Sequence, residues 1–162
     1  MKRAVVAVVG VVAGCLLLGG CGADIRPLAA VRLDTEGAPR AVLRSCGDDL
    51  IQALSLFGAP AGTDSGRNRS GWKVPGKRHG TGAEFPLFSP PSAWRARASG
   101  QQRLVPDYTY RLGFGKGEFN YEYTGIVTFR AADLAALKPG QVWADGRVMS
   151  LGEFERLAED SC

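Results

Sequence analysis

Tyr108-Thr109-Tyr110-Arg111-Leu112-Gly113-Phe114 alternates in period two, with Tyr108, Tyr110, Leu112 and Phe114 on one side. Successive strand residues point to opposite faces, so this run predicts a half-buried β-strand. Gly115-Lys116-Gly117 then predicts a turn, followed by a return strand from Glu118 to Phe129. On that strand Phe119, Tyr121, Tyr123, Val127 and Phe129 share a face. The pair reads as a β-hairpin with one apolar side. Its aromatic residues, Tyr108, Phe119, Tyr121 and Tyr123, read as core or cross-strand pairs before they read as a ligand face.

The same signals spread outward in both directions. Ala30 to Asp34 and Arg40 to Ser45 predict strands joined by the turn Thr35-Glu36-Gly37-Ala38-Pro39. Leu50 to Phe57 is a third strand, after Gly47-Asp48-Asp49. Gly58 to Gly82, rich in Gly, Pro, Ser and Arg, predicts a long irregular loop broken by a short strand around Trp72 to Val74. Phe85 to Phe88 and Trp94 to Ala98 flank the turn Ser89-Pro90-Pro91-Ser92. Ala131 to Leu137 predicts one or two helical turns ended by Pro139-Gly140, and Gln141 to Val148 a last strand. Ser150-x-x-Glu153 is a capping box that opens a helix whose stripe is Phe154, Leu157 and Ala158. The expected fold is mainly β: an antiparallel β-sandwich-like domain with a short C-terminal α-helix, after an N-terminal signal helix.

Leu104-Val105-Pro106-Asp107-Tyr108-Thr109-Tyr110 has the form L-x-P-x-x-x-aromatic, repeated at Leu137-Lys138-Pro139-Gly140-Gln141-Val142-Trp143. It resembles the tyrosine corner of fibronectin type III and related immunoglobulin-like sandwiches. The resemblance implies that Tyr110 is structural, its hydroxyl satisfying a backbone group near the turn.

Lys2 and Arg3 precede a run without charge from residue 4 to residue 20, closed by Leu18-Gly19-Gly20-Cys21. A basic start followed by an apolar run is an export signal. About 20 apolar residues span a bilayer, so the length also fits a permanent helix; the glycines and the terminal cysteine favour cleavage. Leu18 to Cys21 resembles a bacterial lipobox, which implies removal of residues 1–20 and lipidation of Cys21. Val12-Ala13-Gly14-Cys15 fits the pattern too, but cleavage there would leave three sulfurs beside the lipid. Cleavage before Cys21 discards Cys15 and leaves Cys46 and Cys162 as one disulfide pair in an oxidising compartment. The expected organisation is a signal peptide (1–20), a lipidated Cys21 with a short tether (21–29), and one extracytoplasmic domain (30–162).

Removing residues 1–20 from the 162 leaves 142, enough for one domain with a sizeable core. It also lowers the formal charge from +4 to +2, because Lys2 and Arg3 leave. The basic balance is thus partly a targeting feature and argues against nucleic acid as a partner. A single histidine and no close cysteine cluster exclude a conventional zinc or copper site, so no metal or cofactor is expected.

Sequence motifs for catalysis are weak. Gly71-Trp72-Lys73-Val74-Pro75-Gly76-Lys77-Arg78 nearly matches a phosphate-binding loop, but Arg78 stands where a hydroxyl must bind magnesium. Ser70-Gly71-Trp72-Lys73 matches S-x-x-K without the partner motifs or a helix. His79 has no carboxylate beside it in the chain, and Asp48 and Asp49 read as turn residues that satisfy backbone N–H groups. Asn68-Arg69-Ser70 is a glycosylation triplet without expected consequence in an exported bacterial protein.

The functional lead is the basic loop. Arg67, Arg69, Lys73, Lys77 and Arg78, with Trp72 among them, face a single acid, Asp64. Beside a membrane they predict contact with anionic lipid or a cell-wall polymer, set against a solvated loop whose Trp72 plugs the core. The expectation is a lipoprotein bound to the bilayer through Cys21, with a non-enzymatic binding or scaffolding role toward an envelope protein or polymer. Alternatives are a cell-envelope hydrolase or enzyme accessory, and a ligand-binding lipoprotein that feeds a transporter.

Overall fold

The computed structural model describes residues 22–63, 66–80, 82–117 and 122–162. The span expected as a signal peptide (1–20), Cys21, Asp64, Phe119 and Tyr121 lie outside the described residues. Twelve strands follow in chain order among them: β1 (Asp24–Arg26), β2 (Ala29–Leu33), β3 (Pro39–Leu43), β4 (Leu50–Pro60), β5 (Ser70–Lys73) and β6 (Lys77–His79). Then come β7 (Ala83–Pro86), β8 (Arg97–Gly100), β9 (Tyr108–Lys116), β10 (Tyr123–Arg130), β11 (Gln141–Ala144) and β12 (Arg147–Ser150). Two helices, α1 (Ala131–Ala135) and α2 (Leu151–Asp160), complete the chain.

The strands form two sheets. Sheet A has the order β1-β10-β9-β4-β5-β8, with β6 also paired to β4; sheet B has the order β12-β11-β2-β3-β7. Every pairing is antiparallel except β1 with β10. The fold is therefore mainly β, with the two sheets sandwich-like, and the alternation that begins at Tyr108 explains why. Tyr110, Leu112 and Phe114 on β9 and Tyr123, Val127 and Phe129 on β10 are all buried on one face. Trp72 joins them from β5 and meets Phe85 of β7 with ring centroids 5.9 Å apart, so the core lies between the sheets. Burial of such large rings contributes roughly 25 cal/mol per Å² of apolar area.

Sheet B is buried on both faces, because Ala29, Ala30, Val31, Ala41 and Val42 have no exposure at all. On its second face α2 packs against β11 and β12. Phe154 and Ala158 of the helix and Val142 and Ala144 of β11 are buried. The capping box opens α2 as expected: Glu153 N–H donates to Ser150 Oγ at 3.2 Å, and Ser150 N–H to Glu153 Oε2 at 2.7 Å. The helix carries Cys162 back to Cys46, their sulfurs at bonding distance, 2.18 Å.

The Tyr110 hydroxyl accepts from Val105 N–H at 2.8 Å and lies 3.1 Å from both Ser70 Oγ and the Arg103 carbonyl. It satisfies the backbone of the turn that precedes its own strand. Trp143, at the matching position of the second copy, donates from Nε1 to the Thr128 carbonyl at 2.9 Å.

Several boundaries differ from expectation. The segment read as a loop from Gly58 to Gly82 holds the end of β4 and all of β5 and β6. Its glycines mark close backbone approach: a Cβ on Gly71 would stand 2.1 Å from the Leu56 carbonyl oxygen, and one on Gly58 2.4 Å from the Tyr110 ring. Gln141 to Val148 is two strands, since Asp145-Gly146, both at positive φ, makes a tight hairpin turn. Gly115 and Lys116 stay in β9, paired with Thr124 and Tyr123, so the turn comes later. Trp94 ends a 3-10 turn (Ser92–Trp94) before β8 begins. Within 21–29, the span expected as a tether, Asp24–Arg26 form β1 paired with β10, and Leu28 is fully buried.

Candidate binding surface

Cross-strand partners share a face of a sheet, so the registers of sheet A give its outward rows. One row runs Arg97, Lys73, Ser55, Gly113, Ile126 across β8, β5, β4, β9 and β10. The next holds Phe57, Arg111 and Thr128, and the next Ala59, Thr109 and Arg130. On the side nearer Cys46 the row is Gln52, Gly115, Thr124 and Ile25. These rows contain four cations, Lys73, Arg97, Arg111 and Arg130, and no carboxylate. Ile25 is 76% exposed, and the Arg111 guanidinium lies 5.9 Å from the centre of the Phe57 ring.

Three open depressions tile this face. One of about 680 Å³ is lined by Phe57, Pro60, Thr109, Arg111 and Thr128. A second of about 270 Å³ lies over Ser55, Arg111, Gly113, Thr124 and Ile126. A third of about 480 Å³ lies between Ala53, Lys73, Pro75, Lys77 and Arg97. Arg111 borders the first two and Ala53 the last two, so they form one trough. Nothing among the described residues packs over it.

The predicted basic loop is divided by its strands. Lys73 lies on the outward face, and Lys77 borders the same trough. Arg78 is half-buried, its guanidinium 5.1 Å from the centre of the Trp94 ring; burial lowers its pKa. Arg67 and Arg69 are exposed at the opposite end of β4, near Gly58, because β5 runs antiparallel to it. Trp72 is 1% exposed and donates from Nε1 to the Leu87 carbonyl at 2.8 Å. It is a core residue, which corrects its place among the surface-binding candidates. Alternation with its exposed neighbour Lys73 puts it on the inward side.

The other sequence motifs are structural here. Ser70 is fully buried and donates to the Arg103 carbonyl, while Lys73 faces outward, so S-x-x-K brings no nucleophile and base together. Asn68 ties β4 to β5, accepting from Gly58 N–H at 3.1 Å and donating to the Leu56 carbonyl at 2.8 Å. The phosphate-loop match falls on β5, a turn and β6.

A polar cluster lies at the Cys46 end. Tyr123 donates to Asp49 Oδ2 at 2.8 Å, and Lys116 Nζ reaches Asp49 Oδ1 at 3.3 Å and Glu122 Oε2 at 2.9 Å. Burial, then the bond to Asp49, raises the Tyr123 pKa; the bonds to Glu122 and Asp49 raise that of Lys116. Arg26 stacks over the Tyr123 ring at 4.6 Å. His79 Nδ1 lies 3.2 Å from Asp48 Oδ1, so folding supplies the carboxylate that the local sequence lacks. Asp48 and Asp49 thus meet side chains, not only the backbone their turn position suggested. No group of three or more His, Cys, Asp or Glu among the described residues could hold a metal.

The sequence reading missed Arg97, Arg111, Arg130 and Ile25. Their signal was present in the hairpin: the parity opposite to the aromatic side reads Thr109, Arg111, Gly113 on one strand and Thr124, Ile126, Thr128, Arg130 on the other. No described helix is long and apolar enough to cross a membrane. No family model matches the chain, and no curated protein and no solved structure matches it.

Proposed function

We propose that this protein is a lipoprotein held at the extracytoplasmic face of the cell membrane through Cys21, and that it works there as a non-enzymatic binding or scaffolding module. Its working surface is the outward face of sheet A. The observation that carries this reading is the asymmetry of the sandwich: α2 packs on the β11–β12 part of sheet B, while sheet A leaves an open trough bordered by Lys73, Arg97 and Arg111. The basic end of the signal segment, the lipobox-like Leu18 to Cys21 and the Cys46–Cys162 pair agree with an exported, anchored chain.

Cell fractionation tests the anchor. The parent chain is expected in the membrane fraction, and Cys21→Ser in the soluble or precursor form. A photo-crosslinking residue at Thr128 tests the surface, with expected capture of an envelope component that the same residue at Glu36 does not capture. Equal capture at both positions would remove sheet A as the working surface.

A hydrolytic role is the second reading, favoured by the His79–Asp48 contact alone. His79 is 67% exposed in its side chain and lines none of the depressions described. His79→Gln is expected to leave the protein's envelope function intact; its loss would favour hydrolysis.

A further inference from the structure

The partner of the sheet A face follows from where the anchor enters the fold. Only Gly22 and Ala23 separate Cys21 from β1. Three residues of extended chain reach ~11 Å at most, so a lipidated Cys21 holds β1 within the headgroup zone or just above it. One side of the molecule next to β1 must then meet the bilayer.

Two sides are available, and they differ in charge. The Cys46 end carries Asp24, Asp49 and Glu122 around β1 and β10, with Asp48 on the adjoining loop, against two cations, Arg26 paired with Asp24 and Lys116 committed to Asp49 and Glu122. An anionic leaflet repels such a surface. The outward face of sheet A begins at the same strand and carries no acid in its paired rows. There Ile25 is 76% exposed beside β10, whose outward residues include Ile126 and Arg130, and Arg111 follows on β9. Ile126 stands one row beyond Ile25, Arg111 two rows and Arg130 three, so one face runs from exposed isoleucine to arginine, the composition of an interfacial contact.

We infer that the anchored domain lies with the β1-β10-β9 part of sheet A against the membrane, Ile25 and Ile126 in the interface and Arg111 and Arg130 on anionic headgroups. This rests on the anchored reading above and names the partner of the same surface: the lipid bilayer itself. Twist of about 20–25° per strand carries β5 and β8 away from that plane, so Lys73 and Arg97 contribute less. Arg67 and Arg69 share the Ala59 end of β4 with the row of Arg130 but sit at the connection to β5, two strands away from β10, and contribute little.

Vesicle co-sedimentation of the chain from Gly22 onward, which holds both sheets, both helices and the disulfide, tests this without the lipid. Binding to vesicles of phosphatidylcholine with phosphatidylglycerol is expected to exceed binding to phosphatidylcholine alone by at least about tenfold, as several cations act together. Arg111→Gln and Arg130→Gln should each weaken it about fivefold, and Arg97→Gln by less. Ile25→Asp should weaken it further, while Arg67→Gln with Arg69→Gln should leave it within about twofold. Equal binding to both vesicle types would overturn the inference. So would unchanged binding by Arg111→Gln and Arg130→Gln, or retention of inorganic polyphosphate without vesicle binding. The anchor is decided separately by the fractionation of Cys21→Ser, so either idea can fail alone.

Discussion

Sheets A and B are built from similar strands yet end in opposite surfaces. On sheet B the outward charges are gathered into pairs: Arg32 and Arg40 both hold Glu84, and Arg44 holds Glu155 of α2. Helix α2 packs on the β11–β12 part of this face, where Val142 and Ala144 have no exposure, and the charges beside it are paired. On sheet A the outward charges are four cations with no ion pair among the described residues, and no helix covers them. A surface whose charges are paired and whose apolar residues are covered serves the fold. One that keeps both open is available to a partner.

This contrast can be broken most severely at α2. Replacing Cys46 and Cys162 by serine releases a loop of 116 residues, which the chain-entropy model values at about 4–5 kcal/mol. Urea unfolding with and without reductant should show this loss, the reduced parent matching the double variant. Phe154→Ala, which opens the space under α2, should cost about 3–5 kcal/mol in the same measurement. Tyr110→Phe keeps the ring under sheet A but leaves the half-buried Val105 N–H without its acceptor, for about 1–3 kcal/mol.

Acid should separate the two sheets next. Burial pushes the Glu84 carboxyl up, but bonds from Arg32 and Arg40 outweigh it and hold it below the usual range; the bond from Arg44 lowers Glu155. Both folded pKa values lie below the unfolded ones. Their stabilisation is therefore present above about pH 4.3, the ordinary glutamate value, and is lost as pH falls through the folded values. The urea midpoint should drop on acidification below pH 5, and Glu84→Gln should flatten that drop. The smallest effect belongs to sheet A: Arg111→Gln should change stability by no more than about 0.5 kcal/mol, because nothing in the fold depends on that charge.

The sequence announced the parts of this fold that obey a period. Alternation from Tyr108 to Phe114 named the inward side of β9, and the Ser150–Glu153 spacing named the start of α2. What escaped were features without a period of their own. β1 has three residues, too few to alternate, and is a strand only because β10 offers it an edge. The short strand expected around Trp72 is β5, but β6 and the true start of β5 were hidden by glycines that signal loops locally but permit close strand packing globally. The binding surface escaped for another reason: its residues are the polar half of an alternation whose apolar half drew the attention. The loop cations Arg67 to Arg78 were neighbours in sequence, and β5 and β6 carried them to opposite ends of β4.

The parallel pairing of β1 with β10 also has a mechanical meaning. A lipid anchor on Cys21 would deliver any tension to Asp24, Ile25 and Arg26 along the strand axis. The three pairs would then carry the load together instead of peeling one after another. Behind them Leu28 is fully buried and Arg26 is stacked on Tyr123, which hydrogen-bonds to the loop of the disulfide. Pulling force on the anchor would thus run straight into the cross-linked part of the domain, and β1 would act as its fuse.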